Sequence, residues 1–548
     1  MTKKILICLC LVLLIGACNS ETAPSSTVTP TSGLPTPMID VAPAPDVEEG
    51  AQAYLEAWKA EDYEGMYALL SRLSQDAMTL EEFQKEHKDA AIALTMQNMD
   101  YAILSNMVKP SSAQVNYEIS YTTTLLGTIS RSTIMNLTLE ENVWHVQWDA
   151  SMILPELAGG NRLELTYEIP ARGNIYDEYG YPLVAQDDAV AIGIVPGKID
   201  PENEDGMVSF LANLLDVSED SIREKYAYAQ ADWYVAIGDV SAAVAQQYSD
   251  RFERYPGIVL SPFRSRYYYD GGIAPHVTGY VLSISPEELE EYQRKGYRGD
   301  EKVGAAGLEA WGESYLAGKH GASLYIKDPQ GQVVTKLASA PAEPANSIYT
   351  TIDSTLQYNL QHSMDDYLGA IVVMERDTGR VLAMVSNPGY NPNLFEPVNF
   401  NSMMLESVLN DPKLPLYNRA AQGVYPLGSV FKIITMAAAL ETGVFTPDYP
   451  YYCASTWTEL QGVTLYDWTY ERDLPASGEL TLQEGLMRSC NPWFWHIGYT
   501  LWNEGYTTAI ADVASGFGLG KKTGIEIQEF EGRLEQPTSV SENVQLAI

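Results

Sequence analysis

The sequence predicts a multidomain protein of the α+β class, and three observations support this prediction. Its 548 residues exceed the roughly 100–200 residues of one domain, so three or four domains are expected. The hydrophobic fraction of 46% is ordinary for a globular protein and is enough for buried cores. Apolar residues recur at helical spacing over 47–58, whereas 114–148 has the composition and alternation of half-buried strands. Helices followed by an antiparallel sheet are therefore expected at the start of the folded part.

The charge of the chain limits its partners. The formal net charge is −38. Nucleic-acid binding needs a basic surface, and so does electrostatic attachment to anionic lipid, so neither is predicted. The acidity itself is interpreted as a solvated surface that keeps the protein soluble.

The beginning of the chain predicts export and attachment to a membrane. Two lysines precede an uncharged apolar run over residues 5–17, which is too short to span a bilayer but suits a secretory signal. Small residues before Cys18 resemble the lipobox of bacterial lipoproteins, so 1–18 is predicted to be a lipoprotein signal peptide with Cys18 lipidated. A plain signal peptide with an incidental cysteine is the alternative. Residues 19–45 are rich in Ser, Thr and Pro and predict a tether.

The first folded domain is predicted over 46–155. Five apolar residues at helical spacing indicate its first helix: Val47, Ala51, Tyr54, Leu55 and Trp58. A second helix is expected over 80–94, and strands rich in Thr, Tyr, Val and Ile follow over 114–148. No cluster of titratable residues points to catalysis here, so the domain is interpreted as a spacer or an interaction module.

Two further domains are predicted downstream. Residues 160–340 form a mixed, loop-rich region with few internal signals. The last domain, 345–548, opens with a hairpin whose strands are 370–374 and 381–385. Mostly helical sequence follows this hairpin to Gly516.

The cysteines and histidines predict no metal site and no cofactor. Cys453 and Cys490 are the cysteines of the folded part, and the sequence leaves open whether they form a disulfide. The sequence has no CxxC pair, no HExxH, no Gly-x-Ser-x-Gly elbow and no Walker loop. Zinc hydrolases, α/β-hydrolases and P-loop enzymes are therefore set aside.

The strongest chemical signal is a serine three residues before a lysine. Pro426 and Gly428 break regular structure ahead of Ser429, and the apolar segment that follows predicts a buried helix with Ser429 in its first turn. Lys432 is expected on the same face, one turn further on. The positive end of a helix stabilises a serine alkoxide, and burial lowers the pKa of a lysine. Ser429 is thus the predicted nucleophile and Lys432 its general base. The alternative is an N-capping serine with a lysine that extends to solvent.

A second polar segment, Ser489–Asn491, is predicted to connect two helices. A capping-box pattern starts one helix at Thr481, and Pro492 suits the start of the next. Ser489 is a candidate proton relay, and Asn491 is a candidate ligand for a substrate amide. The alternative role for Asn491 is the N-cap of the second helix.

These motifs carry a resemblance to a known family. Ser-x-x-Lys followed by Ser-x-Asn is the signature order of penicillin-binding proteins and serine β-lactamases. Three further segments resemble the class B penicillin-binding transpeptidases closely: Asn418–Ala420, Tyr425–Lys432, and Asp377–Gly379 with Asn387–Pro388. Others resemble their pedestal, or dimerisation, domain: Pro170–Asp177, His276–Val281 and Gly307–Glu309. Residues 47–152 are similar to the NTF2-like N-terminal extension of low-affinity members of the methicillin-resistance type.

The resemblance implies a fold of three domains. These are an NTF2-like domain, an elongated dimerisation domain and a transpeptidase domain with an antiparallel sheet and helices. The third motif of the family, Lys-Ser/Thr-Gly on a strand beside the active site, is expected well beyond Asn491. Lys522–Gly524 resembles this motif but is interpreted as a structural turn. The transpeptidase domain is therefore expected to be incomplete, with the chain truncated at Ile548.

The resemblance also implies a reaction. Ser429 is expected to attack the penultimate D-Ala carbonyl of a peptidoglycan stem peptide while Lys432 takes its proton. Ser489 would pass a proton to the leaving D-Ala, and Asn491 would orient the acyl chain. An amine of a second stem peptide then accepts the acyl group, whereas β-lactams mimic the substrate and trap the acyl-enzyme.

The partners that follow from the resemblance are all extracytoplasmic. They are stem peptides, β-lactams as covalent inhibitors, and glycosyltransferase or cell-division proteins at the outer face of the bacterial membrane. Two alternatives stay open. A β-lactam-hydrolysing or β-lactam-sensing relative is one, although such hydrolases usually have a single domain. An inactive cell-wall scaffold on the same fold is the other.

Overall fold

The structure, a computed structural model, describes residues 45–215, 218–364, 366–395 and 402–548. The predicted signal peptide, Cys18 and nearly all of the tether lie outside these ranges. Within them, no helix combines the length and the apolar character that a membrane crossing requires. Helices and strands are both abundant, and the prediction of a multidomain α+β protein is confirmed.

The N-terminal domain packs four helices against a four-stranded antiparallel sheet of order β1-β2-β3-β4. Its helices are α1 (Val47–Lys59), α2 (Tyr63–Ala68), α3 (Arg72–Ala77) and α4 (Leu80–Ala93). Its strands are β1 (Met96–Val108), β2 (Ser112–Thr123), β3 (Gly127–Glu140) and β4 (Val143–Gln147).

Both predicted helices of this domain are confirmed, but one strand was missed. The five apolar residues that predicted α1 are all buried, and Thr79 and Glu82 cap α4 reciprocally. The sheet begins at Met96, well before the predicted start at residue 114. Strand β1 lies at the edge of the sheet and has no buried residue beyond Met99, so its sequence lacks the alternation that marks a half-buried strand.

The second domain contains three small sheets and many short helices. Its strands are β5 (Arg162–Glu168), β6 (Ile175–Tyr176), β7 (Pro182–Ile194), β8 (Val235–Ser241), β9 (Ile258–Tyr268), β10 (Val281–Ser283), β11 (Lys302–Gly304), β12 (Gly321–Lys327), β13 (Val333–Ala340) and β14 (Ile348–Tyr349). Its helices are α5 (Glu204–Leu215), α6 (Glu219–Tyr226), α7 (Ala242–Gln247), α8 (Ser249–Phe252), α9 (Pro275–Thr278), α10 (Leu289–Arg294), α11 (Gly307–Trp311) and α12 (Glu313–Leu316).

The description of this region as loop-rich with few signals was wrong in one respect. A five-stranded sheet of order β14-β6-β7-β8, with β9 also paired to β7, forms its centre. Its two long strands, β7 and β9, are antiparallel over their whole length. They were missed because Asp187 and Asp188 interrupt the apolar pattern of β7 and Pro262 interrupts that of β9.

A buried ion-pair cluster joins two of the segments that resemble a dimerisation domain, 170–177 and 307–309. The carboxylate of Glu309 is fully buried, and it accepts hydrogen bonds from Arg172 Nε at 2.8 Å and Arg266 Nε at 2.7 Å. Arg266 also donates to the carbonyl oxygen of Gly173. Burial by itself raises the pKa of Glu309, but the two guanidinium groups outweigh it and hold that pKa below its usual value. The cluster therefore fixes α11 to the start of the domain.

The N-terminal and second domains share one hydrophobic core. Strands β5, β12 and β13 form an antiparallel sheet, and Leu324 and Ile326 of β12 are fully buried in the same cluster as the aromatic residues of α1 and β2. Leu163 and Leu165 of β5 pack against that cluster. The connection between the two domains is therefore a packed interface and not a free linker.

The third domain begins with a helix and the predicted hairpin. Its helices are α13 (Ser354–Ser363), α14 (Ser402–Leu409), α15 (Lys432–Glu441), α16 (Trp468–Glu471), α17 (Leu482–Met487), α18 (Asn491–Asn503), α19 (Ala509–Gly516) and α20 (Val540–Leu546). Its strands are β15 (Gly369–Met374), β16 (Val381–Asn387), β17 (Tyr451–Cys453), β18 (Thr456–Trp457), β19 (Leu465–Tyr466) and β20 (Gly478–Leu480). The hairpin is confirmed as β15 and β16, and α15, α18, α19 and α20 surround the core behind the site.

Candidate active site

Ser429 is presented at the surface by a tight turn. Gly428 has a φ of +59°, a left-handed conformation that favours glycine, and it opens a short 3-10 turn, Gly428–Val430. The α-helix proper begins at Lys432, so Ser429 precedes α15 and does not lie in its first turn as predicted. Helix α15 is also less buried than its composition suggests, because Ile433 is 54% exposed. Ser429 itself is exposed and accessible to a substrate.

Lys432 turns into the protein and meets three oxygen atoms. Its side chain is buried, and its Nζ donates to the carbonyl oxygen of Ser489 at 2.9 Å, to Ser489 Oγ at 3.2 Å and to Asn491 Oδ1. The ring of Phe494 lies 5.4 Å from the ammonium group. Burial lowers the pKa of Lys432 to about 8, against an opposing contribution from Asp467. A lysine with this pKa is neutral in part of the population at neutral pH and can accept a proton.

Ser489 bridges the other two side chains. Its Oγ donates a hydrogen bond to Ser429 Oγ at 2.9 Å, and the same oxygen accepts the bond from Lys432. Ser489 has a φ of +51°, which is strained for a residue with a side chain and places its hydroxyl between its partners. Among the contacts of the described residues, Lys432 therefore reaches Ser429 through Ser489, whereas the sequence predicted a direct approach.

Asn491 opens helix α18 but does not cap it. The N-cap is Cys490, whose sulfur accepts from the backbone N–H of Trp493, so the alternative role predicted for Asn491 is wrong. The capping box at Thr481 is present and starts α17. A disulfide between Cys490 and Cys453 resolves the pairing that the sequence left open. It ties strand β17 to the Ser489–Asn491 segment.

Asp467 is a site residue that the sequence analysis missed. Its carboxylate is fully buried, accepts from the backbone N–H of Asn491 at 2.9 Å, and caps the short helix α16 through Thr469. It thus holds the Asn491 segment in place and also acts electrostatically on Lys432. Asp-x-Thr is an ordinary capping pattern, so the sequence carried a signal for the cap but none for the site.

Three side chains that could bind a metal lie near one another in this region. Ligand atoms of Cys453, Asp467 and Cys490 lie within 4.8 Å of one another in the described part of the chain. Both sulfur atoms are committed to the disulfide, which leaves Asp467 as the one remaining ligand of the three, and one carboxylate is too few for a structural metal.

Lys522–Gly524 forms a loop in a different place. Thr523 donates to Glu529 through its backbone N–H at 2.9 Å and its hydroxyl at 2.7 Å, and Gly524 N also donates to Glu529. Thr523 lines a cleft of about 390 Å³ together with Thr350 and Val277, and none of the four predicted site residues lines it. The interpretation of this segment as a structural turn agrees with its geometry.

Taken together, a surface serine, a bridging serine and a buried lysine form one chain of hydrogen bonds. Serine hydroxyl groups both donate and accept, so the proton of Ser429 can pass to Ser489 while that of Ser489 passes to a neutral Lys432. This arrangement activates a serine for attack on a carbonyl carbon. The site is thus suited to covalent acyl transfer.

Three domain families match the sequence. Residues 46–161 match an NTF2-like N-terminal transpeptidase domain. Residues 167–350 match the penicillin-binding protein dimerisation domain, and 369–548 match the penicillin-binding protein transpeptidase domain.

Curated relatives of the chain are named as a peptidoglycan D,D-transpeptidase or a penicillin-binding protein. The chain is 30% identical over 379 residues to the peptidoglycan D,D-transpeptidase MrdA of Escherichia coli strain K12, which covers 67% of this chain and 58% of that protein. It is 28% identical over 414 residues to penicillin-binding protein 3 of Bacillus subtilis strain 168, which covers 73% of this chain and 60% of that protein. The chain thus spans about three fifths of the length of these relatives.

Solved structures share the fold. The complex between penicillin-binding protein PBP2 and MreC from Helicobacter pylori aligns over 71% of this chain and 74% of its own, with a TM-score of 0.55 and 22% identity. A peptidoglycan synthase complex that coordinates polymerization and crosslinking aligns over 73% of this chain and 70% of its own, with a TM-score of 0.50 and 27% identity.

Proposed function

The chain carries the NTF2-like, dimerisation and transpeptidase domains of a class B penicillin-binding protein, and from this premise we propose that it is a serine peptidoglycan D,D-transpeptidase. The substrate would be a stem peptide that ends in D-Ala-D-Ala, as the names of the curated relatives suggest. The observation that carries the proposal is the hydrogen-bonded chain from Lys432 through Ser489 to Ser429.

The first step is the formation of an acyl-enzyme. Ser429 Oγ attacks the penultimate D-Ala carbonyl, and its proton moves through Ser489 Oγ to the neutral amine of Lys432. The backbone N–H of Ser429 is one donor to the oxyanion that forms. As the C–N bond breaks, the proton returns from Lys432 through Ser489 to the departing D-Ala nitrogen. An amine of a second stem peptide then attacks the ester carbonyl and forms the new amide bond. The amine loses a proton to Lys432, and a proton passes through Ser489 to Ser429 Oγ as the ester C–O bond breaks.

Asn491 serves both the lysine and the substrate in this proposal. Its Oδ1 accepts from Lys432 Nζ, so its side-chain nitrogen remains as a donor for the amide of the acyl chain. The buried Asp467 supports this role because it holds the backbone of Asn491.

The proposal extends to location and partners. Lipidation at Cys18 would hold the protein at the outer face of the bacterial membrane, with 19–45 as its tether. The solved relatives assemble with MreC or form a peptidoglycan synthase complex, so glycan polymerases and proteins similar to MreC are the partners to test. The NTF2-like domain motivates the further proposal that the protein is of the methicillin-resistance type, with low affinity for β-lactams.

Intact-mass spectrometry after incubation with benzylpenicillin tests the chemistry, with Ser429→Ala as the control. We expect one penicilloyl adduct per chain that is absent from the control. A slow and partial adduct that still needs Ser429 supports the low-affinity type. Rapid loss of the adduct by hydrolysis supports a β-lactam hydrolase instead. Folded protein that forms no adduct would leave an inactive scaffold as the better description.

A further inference from the structure

Two arginines share one tryptophan beside the candidate active site. The guanidinium carbon of Arg472 lies 5.5 Å from the centre of the Trp468 ring, and that of Arg488 lies 5.8 Å from the same point. The negative face of an indole ring attracts cations, so both contacts are favourable by themselves. The result is two positive charges held over a single side chain, although like charges repel each other.

The tryptophan under the arginine pair is bonded to the backbone next to the candidate catalytic segment. The indole Nε1 of Trp468 donates to the carbonyl oxygen of Arg488 at 3.2 Å, and Arg488 immediately precedes Ser489. On the other side, Asp467 immediately precedes Trp468 and holds the backbone of Asn491. The arginine pair therefore borders the loop that carries the bridging serine.

Neither arginine has an acidic partner among the residues that the structure describes. No ion pair or side-chain hydrogen bond joins Arg472 or Arg488 to a carboxylate in those ranges, and both side chains are exposed. The nearest acid on the helix before Arg488 is Glu484, whose carboxylate is already engaged by Thr481 in the capping box. Glu471 and Asp473 flank Arg472 in the sequence and are exposed, but no ion pair or hydrogen bond joins either of them to its guanidinium in the described part of the chain. Two neighbouring arginines without a paired acid stand out in a chain with 72 acidic and 34 basic residues.

We propose that Arg472 and Arg488 form a carboxylate-binding subsite for the stem peptide that acylates Ser429. The proposal rests on the proposed transpeptidase function and adds a substrate preference to it. Guanidinium groups bind carboxylates with paired, charge-assisted hydrogen bonds, and a bound anion would also relieve the repulsion between the two arginines. The subsite selects donors with a free carboxylate near the scissile bond over donors in which that group is an amide.

The simpler explanation is that both arginines only cover the face of Trp468 with their aliphatic stems. The two explanations predict different effects of the arginines on the reaction with the substrate. A covering role affects stability and is indifferent to the charge of the donor, whereas a binding role changes the discrimination between two donors. The test must therefore compare donors and not only variants.

The probes are two synthetic stem-peptide thioesters that end in a D-alanyl thioester and differ in one group. The side chain of the third residue carries a free carboxylate in one and a primary carboxamide in the other. The readout is kcat/KM for thiol release, which depends on Ser429. We expect the wild-type protein to prefer the carboxylate donor about tenfold, because a hydrogen bond to a charged group is worth roughly that much in transition-state binding. The preference should fall as the salt concentration rises.

The variants are Arg472→Gln with Arg488→Gln, and the same pair changed to Lys. The double glutamine variant should lose the preference for the carboxylate donor, while its kcat/KM for the carboxamide donor stays unchanged. The double lysine variant should keep part of the preference. Arg376→Gln is the matched control, since it removes one exposed arginine that pairs with Asp377 in the hairpin turn. A preference that survives the glutamine pair, or a wild-type protein that treats both donors alike, overturns the subsite. Failure of both donors and of benzylpenicillin to acylate Ser429 overturns the proposed function itself.

Discussion

The chemistry of the site depends on the position of one hydroxyl group. Ser489 lies 60 positions from Ser429 and 57 from Lys432, yet its Oγ is within 3.2 Å of the reactive atom of each. Its positive φ places the hydroxyl there at a cost in backbone strain, which functional sites tolerate when the surroundings hold them in place. The disulfide at Cys490 and the carboxylate of Asp467 are the groups that hold this segment.

The pKa of Lys432 predicts how acylation depends on pH. Burial lowers this pKa to about 8, and the neutral amine is the form that accepts a proton. The rate of acylation by benzylpenicillin should therefore rise about tenfold per pH unit below pH 8 and level off above it. Lys432→Met should slow the reaction by about 10²–10⁴ and abolish this dependence. Mass spectrometry of adduct formation between pH 6 and 9 gives both rates, and a flat wild-type profile would contradict the role of Lys432.

Asp467 should set the midpoint of that profile. Its negative charge raises the pKa of Lys432 against the effect of burial. Asp467→Asn removes the charge, so the midpoint should move to lower pH. The amide oxygen can still accept from Asn491 N, although the oxygen that accepts from Thr469 is replaced by an NH2 group. Asp473→Asn removes an exposed carboxylate nearby in sequence and should leave the midpoint in place. Both midpoints can be measured by the same mass spectrometry of adduct formation. An unchanged midpoint in Asp467→Asn would refute the claim that the charge of Asp467 raises the pKa of Lys432.

At the scale of the elements, two of the segments that resemble a dimerisation domain, 170–177 and 307–309, meet in one ion-pair cluster. Arg172 and Glu309 stand 137 positions apart and meet in the interior with Arg266. Burying three charges is costly unless each is paired, and here the carboxylate serves both arginines. The geometry of the cluster thus depends on Glu309 more than on either arginine.

Glu309→Gln should destabilise the protein strongly. It leaves Arg266 without its buried anion, whereas Arg172 keeps its ion pair with Glu313 at 2.8 Å. Breaking a buried ion pair costs about 3–5 kcal/mol. Urea unfolding followed by circular dichroism measures the loss. Glu343→Gln, which breaks an exposed pair with Lys319, is the control and should change little. Equal effects of the two substitutions would show that the cluster is not important for stability.

At the scale of the whole molecule, the first two domains behave as one unit in their packing. Leu324 and Ile326 belong to the second domain by sequence but to the core of the first by contact. Arg294 of α10 adds a surface connection, because both nitrogens of its guanidinium fork donate to Glu61 at 2.7 Å and 2.9 Å. The core of the third domain behind Ser429 is a separate cluster.

Leu324→Ala should therefore weaken the first two domains together. Removing a fully buried leucine typically costs about 2–5 kcal/mol, because a cavity remains. Hydrogen exchange should become faster in α1, β2 and β12 alike, while α15 and α18 keep their protection. Val333→Ala on the neighbouring strand is the control, since Val333 is 56% exposed. Faster exchange confined to β12 would contradict the shared core.

The sequence alone determined much of the local structure and predicted the class of chemistry that we propose for the site. Helices α1 and α4, the capping box at Thr481 and the hairpin of β15 and β16 follow from periodicity and turn residues, which act over a few positions. The order of the Ser-x-x-Lys and Ser-x-Asn motifs led to a candidate site whose side chains do meet. Strands β1, β7 and β9 were not predicted. Strand β1 lies at the edge of its sheet, two aspartates interrupt the apolar pattern of β7, and a proline interrupts that of β9.

Only the tertiary structure decided which of these residues touch. The path of the proton through Ser489, the support from Asp467, the arginine pair on Trp468 and the shared core all join residues that no local pattern relates. Such contacts depend on how buried surfaces of separate elements fit together, and this fit is a property of the packed chain as a whole. Short-range patterns fix what each segment can form, whereas packing fixes which side chains meet and therefore what the site can do.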